Sequence, residues 1–165
     1  MTLTCILAAF LMFAGPASLA AAEKYQIYLS PMPFNDATQP NMTGKGTASA
    51  TLDGETLSIA GTFTGLASAA TKVHLSLSRG PGIPGTAIFD LVVSPDVAGK
   101  LTWQVKLQPS QVAALKSNKL YVQIDTEKVP MGTLWGWLLP EHEVAGQDVP
   151  QRGSWFIPPF AVKTK

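Results

Sequence analysis

GTASATLDGETLSIAGTFT, residues 46–64, holds two alternating runs joined by one turn. From Gly46 to Leu52 small and hydroxylated side chains alternate, and Leu57, Ile59, Gly61 and Phe63 then fall on every second position. A repeat of two puts alternate side chains on opposite faces of an extended chain, which is the mark of a half-buried strand. Asp53-Gly54 between the runs is a two-residue turn signal, so the stretch predicts a β-hairpin.

The same repeat recurs in both directions. Upstream, Tyr25, Ile27 and Leu29 share one strand face, and Pro31, Pro33 and Pro40 then impose an extended loop, because proline has no N–H for a ladder or helix. Downstream, Val73, Leu75 and Leu77 alternate with Lys72, His74 and Ser76, and Arg79–Gly85 (RGPGIPG) reads as a rigid loop. Ile88–Val93 is a mostly apolar strand carrying Asp90. Leu101, Trp103, Val105 and Leu107 alternate with polar residues, Leu120, Val122 and Ile124 form another strand, and Leu134–Leu139 (LWGWLL) is almost wholly apolar. Ser110–Ser117 predicts the one helix, with Pro109 near its start and Ser110 as its cap. Short strands at regular spacing predict an all-β, antiparallel sandwich or barrel of about eight strands with one short helix and an extended C-terminal arm.

With 165 residues the chain is one domain's worth, 46% hydrophobic and 14% charged. Its formal net charge of +1 rules out binding driven by net charge and leaves no overall basic footprint for nucleic acid and no acidic tail. Met1–Ala22 has no charged side chain, Cys5–Ala14 is apolar, and Ala20 and Ala22 form a small-residue cleavage pattern, so residues 1–22 read as a secretory signal peptide that leaves a chain starting at Glu23. An uncleaved anchor is the alternative. Cleavage removes Cys5, the only cysteine, and with it any disulfide, thiolate metal site or cysteine nucleophile.

Residues 23–140 form the expected β domain and 141–165 the arm. The arm is polar to Gly153, then reads Ser154-Trp155-Phe156-Ile157-Pro158-Pro159-Phe160 and ends near Lys163 and Lys165. Prolines bar this aromatic segment from an interior strand. Stiffened by proline, it loses little entropy on docking and suits a binding arm. Two destinations stay open, a partner chain or its own sandwich edge. Trp135 and Trp137, on one face of their strand, read either as a docking patch beside the arm or as core.

Reactive chemistry is sparse. His74 lies on the polar side of its strand and His142 between Glu141 and Glu143, and neither has the spacing of a metal-ligand set. No serine sits in a nucleophile elbow, and Arg79-Gly80-Pro81-Gly82 opens no predicted helix that would cradle phosphate. Catalysis would require His74 and Asp125 to converge with a further group across adjacent strands.

Residues 44–139 resemble the CHRD domain. The resemblance rests on the hairpin Gly46–Leu66, on His74, on the loop to Gly85 with Phe89-Asp90-Leu91, and on Leu115–Leu138. That family carries an H-x-H pair, a later V-x-V-H-T and then P-x-G-E-I-R-G-x-L. His74 matches the first histidine, whereas Ser76 stands at the second and Asp125, within VQIDT, at the third. Pro130, Gly132, Gly136 and Leu138 keep the last motif's skeleton, and Thr133 and Trp135 replace its Glu and Arg. The resemblance implies a β-fold with its polar cluster dismantled.

The mature size, the absent cysteines, the CHRD-like middle and the Trp/Pro-rich extension also look like the small third subunit of membrane-bound quinohaemoprotein alcohol dehydrogenases. In those complexes a subunit bearing pyrroloquinoline quinone (PQQ) and haem passes electrons to a multihaem cytochrome c subunit. The likeness implies an accessory subunit that holds no cofactor and assists assembly or stability; joined to the arm's composition, it gives the expectation of a periplasmic, non-enzymatic chain without a metal site, with Trp155, Phe156, Ile157, Phe160, Trp135 and Trp137 as its interface. A free-standing CHRD-type module for a small ligand or matrix component is the competing expectation.

Overall fold

The computed structural model describes residues 21–91 and 93–141. The expected leader lies outside them except for Ala21 and Ala22, as do Val92, His142 and the arm residues Trp155, Phe156, Ile157 and Phe160.

Nine strands run in chain order: β1 Glu23–Pro31, β2 Lys45–Asp53, β3 Thr56–Thr64, β4 Ala70–Leu77, β5 Thr86–Leu91, β6 Gly99–Lys106, β7 Leu120–Thr126, β8 Leu134–Trp137 and β9 Leu139–Pro140. The single α-helix, α1, spans Pro109–Lys116 between β6 and β7. Eight strands follow one another antiparallel in the order β5-β4-β7-β8-β1-β2-β3-β6, a nearly closed barrel, and the two-residue β9 continues β8 along β1. β1 joins the halves, pairing β2 through Glu23↔Leu52 to Leu29↔Gly46 on one side and β8 and β9 on the other.

The hairpin is β2–β3, in register from Lys45↔Thr64 to Asp53↔Thr56. That register moves the turn one residue beyond the sequence reading: Asp53 is the last paired residue and Gly54-Glu55 form the loop. Gly54 has φ +59° and Glu55 is not among the positive-φ residues, the pattern of a two-residue turn with glycine at its first central position. Gly61 is needed for a different reason, since a Cβ there would collide with Ala48 and with the Thr47 carbonyl of β2.

Alternation sends Tyr25, Ile27, Leu29, Leu57, Ile59, Phe63, Val73, Leu75, Val122 and Ile124 into the barrel, where each is buried. Burying such a side chain contributes about 1.5–3 kcal/mol, so this core holds a fold that has no disulfide. At the rim Leu77 is exposed. The helix begins one residue before the expected cap. Pro109 occupies its first turn, Gln108 takes the cap position expected of Ser110, and the Gln108 backbone N–H donates to Gln111 Oε1 at 2.8 Å, the reciprocal bond of a capping box.

A second cluster lies on the outside of the wall. Tyr121, Trp135 and Trp137 project outward from β7 and β8, and Met32, Met42, Val129 and Leu139 pack with them. The Tyr121 ring stacks on Trp137 with centroids 4.9 Å apart and meets Trp135 edge-on at 5.9 Å.

Candidate functional site

β4 sits between β5 and β7, and its register puts His74 directly opposite Asp90 on one side and Gln123 on the other. Asp125 lies two residues beyond Gln123, on the same outward face and diagonal to His74. The four side chains form one chain of hydrogen bonds. His74 Nδ1 lies 2.7 Å from Asp90 Oδ1 and His74 Nε2 lies 2.8 Å from Asp125 Oδ2. The Gln123 amide donates to Asp125 Oδ1 at 2.8 Å.

Burial is uneven across this chain. The side chains of His74 and Asp125 are 13% and 8% exposed, whereas that of Asp90 is 72% exposed. Asp125 is therefore the carboxylate that depends on its partners, since a buried charge is tolerated only when paired and hydrogen-bonded. The expectation of a dismantled cluster is corrected here. Asp125, at the position of the family's third histidine, still meets His74, and the group is rewired as a carboxylate, an imidazole and a second carboxylate. Asp90 and Gln123 were not singled out as site residues from sequence; the one signal was an acidic residue in an otherwise apolar strand.

His74 and Asp125 thus do converge with other groups, the condition set for catalysis. The geometry nevertheless occupies both ring nitrogens, and neither faces a hydroxyl, thiol or amine nucleophile among the hydrogen bonds of the described residues. Nor do the two carboxylates share a point with the imidazole, since each reaches a different nitrogen. Among the described residues no group of three or more His, Cys, Asp or Glu is placed to hold a metal ion.

The family model for the CHRD domain matches residues 25–138, which takes in β2 to β8 and all of β1 but its first two residues, and stops just before β9. The chain belongs to the CHRD family. No curated protein and no solved structure matches it. In this CHRD domain the matched span covers both the barrel and the His74 cluster.

The other sequence-designated positions lie elsewhere on the CHRD barrel. Trp135 and Trp137 are 1% and 7% exposed within the outer cluster, one strand away from the His74 group. A shallow cleft beside them is lined by Tyr28, Ser30, Trp135, Gly136, Trp137 and Leu139. Among the described residues no helix is long and apolar enough to cross a membrane.

Proposed function

We propose that this CHRD chain is a non-catalytic accessory subunit of a periplasmic, membrane-associated quinohaemoprotein alcohol dehydrogenase, assisting assembly and stability of the dehydrogenase and multihaem cytochrome c subunits. The supporting observation is the closed hydrogen-bond chain Asp90–His74–Asp125–Gln123. A general base needs a free lone pair within reach of substrate, and this imidazole has both nitrogens committed. What the chain offers instead is surface. In this reading PQQ and haem c belong to the partner subunits, and this chain binds neither.

Contact with the partners runs through the C-terminal arm, with Trp135 and Trp137 forming the wall beside it. Interface energy concentrates in a few buried aromatics, so Trp155, Phe156 and Phe160 each contribute about 2 kcal/mol or more, with Ile157 between them. The test is co-purification of the full-length chain, and of a chain ending at Gly153, with the two dehydrogenase subunits. The full chain is expected to be retained and the truncated one lost, with the barrel's circular dichroism unchanged. Equal retention of both overturns the arm's role, and no retention of the full chain favours a free-standing binding module.

A further inference from the structure

We propose that before any partner is bound, residues 154–157 add a short strand to the free edge of β6, in the gap between β5 and β6. These two strands are antiparallel and only residues 92–98 separate them in the chain, a connection short enough for a hairpin. They nevertheless stand more than 8 Å apart, Cα to Cα, along most of their length. Hydrogen-bonded strands lie about 4.8 Å apart, so a strand placed between two others needs about 9.6 Å. The connection is fastened elsewhere, since the Leu66 N–H donates to the Val97 carbonyl at 3.1 Å and the Ala70 N–H to the Asp96 carbonyl at 2.9 Å. The gap is thereby held open.

Two features of the gap call for an extended occupant. In an antiparallel ladder every second residue turns its N–H and C=O away from the partner strand. Half of β6 therefore presents these groups to the gap, and among the described residues no backbone group answers them. On the inward side Trp103 and Val105 of β6 and Ile88, Phe89 and Leu91 of β5 are only half-buried. Trp, Phe and Ile are among the residues most enriched in strands. Trp155 and Ile157, two positions apart, share a strand face and cover that row. Pro158 and Pro159, which bar an interior strand, end an edge strand at Ile157.

The route of the chain selects this occupant. Pro140, Tyr25, Ala50, Ile59 and Trp103 are successive partners across the sheet, so the chain leaves level with Trp103. That is four strand spacings, or about 19 Å, from β6. β9 points toward the end of the barrel where Lys106 lies. The link from Glu141 to Ser154 reaches up to about 45 Å when extended, enough to round that end and return antiparallel to β6, with β5 contributing side chains. Such a tether gives a local concentration in the millimolar range. Glu141, Glu143 and Asp148 on the link are opposite in sign to Lys100 and Lys106, which are exposed on β6. The same lysines disfavour pairing with the β6 of a second copy.

The docking is independent of the dehydrogenase reading. Only its corollary rests on that reading: assembly would then transfer the segment from its own barrel edge to the partner.

Amide hydrogen exchange and nuclear Overhauser contacts on the purified, monomeric full-length protein test the docking. The gap-facing amides of β6, and every second amide of residues 154–157, are expected to exchange at least tenfold more slowly than unstructured chain, with backbone contacts between the two segments. Phe156→Pro lies beyond the barrel's strands in sequence, fixes φ and removes an N–H. It is expected to abolish those contacts and speed the gap-facing β6 amides at least fivefold while β2 keeps its rates. Phe156→Tyr should preserve both. Unprotected gap-facing amides in the wild type, readouts indifferent to Phe156→Pro, or contacts of residues 154–157 with a surface other than β6 would overturn the proposal. Protection that grows with protein concentration would assign the edge to a second copy and overturn it as well. Since none of these readouts involves the dehydrogenase, failure here leaves the co-purification result to stand or fall separately.

Discussion

A histidine ring held between two carboxylates acts as a base only after it lets one of them go. In this barrel the two are not equivalent. Asp125 is buried, shares its second oxygen with Gln123 and ties β7 to β4, whereas Asp90 is open to water on β5. Removing one partner from a buried, hydrogen-bonded pair leaves uncompensated polar groups and typically costs about 3–5 kcal/mol, while an exposed pair contributes about 1 kcal/mol or less. Asp125→Ala is therefore expected to lower the unfolding free energy by about 3 kcal/mol in urea titrations, and Asp90→Ala by less than about 1 kcal/mol. Equal losses would mean that the cluster is a solvated surface network. The sequence made His74 and Asp125 visible but hid Asp90 and Gln123, because alternation reports which face a side chain takes and not which residue of another strand it meets. That depends on register.

Strands carried by strict alternation were the legible elements. β2 and β3 emerge where the pattern puts them, and even there the turn shifts by one residue, since both Asp53-Gly54 and Gly54-Glu55 place glycine in a two-residue loop and only the pairing decides between them. The choice between sandwich and barrel was not legible, because it rests on β1 pairing with β2 on one edge and with β8 on the other, far apart in sequence. One such long-range tie is ionic and gives the fold an acid-sensitive contact. At the start of β1 the Glu23 carboxyl lies 2.6 Å from Lys116 Nζ at the end of α1 and accepts from the Tyr25 hydroxyl at 2.9 Å. The Lys116 hydrogen bond first, and the Tyr25 hydroxyl second, hold this carboxyl below the ordinary carboxylate range. A lowered carboxyl stabilises the fold while ionised, so its contribution is complete above the ordinary value and is lost as pH falls through the lower folded one. Because Glu23 and Lys116 are both about half exposed, Glu23→Gln should cost no more than about 1 kcal/mol near neutral pH. Its clearer signature is a shallower loss of stability on acidification, read from denaturant midpoints across the acid range. An unchanged acid limb would show that the contact forms only weakly in solution.

Across the whole barrel, one seam lacks a ladder. β5 and β6 stand at the two ends of the strand order and do not pair among the described residues, and the inward side chains beside that gap, Ile88, Phe89, Leu91, Trp103 and Val105, are only partly buried, unlike the buried row along β1, β3 and β7. What crosses the gap is an edge-on contact between Phe89 and Trp103, with ring centroids 5.8 Å apart. Aromatic pairs in this arrangement contribute about 0.5–1.5 kcal/mol beyond their burial. Among the described residues β5 has one paired neighbour, β4, and the His74–Asp90 contact fastens it on the outward face. Local opening draws on the parts of a fold with the fewest buried contacts and ladder bonds, so the barrel is expected to open at β5 before it unfolds as a whole. Trp103→Ala removes the bridge across the seam. The side chain is only partly buried, so the loss should be about 2 kcal/mol, below the 3–5 kcal/mol of a core tryptophan. The same substitution should speed β5 amide exchange by more than the global loss of stability accounts for, while β2 and β3 follow the global change alone. If β5 amides in the wild type already exchange as slowly as those of β2 and β3, the wall is closed by something stronger than one ring pair, and the seam is not where this barrel yields.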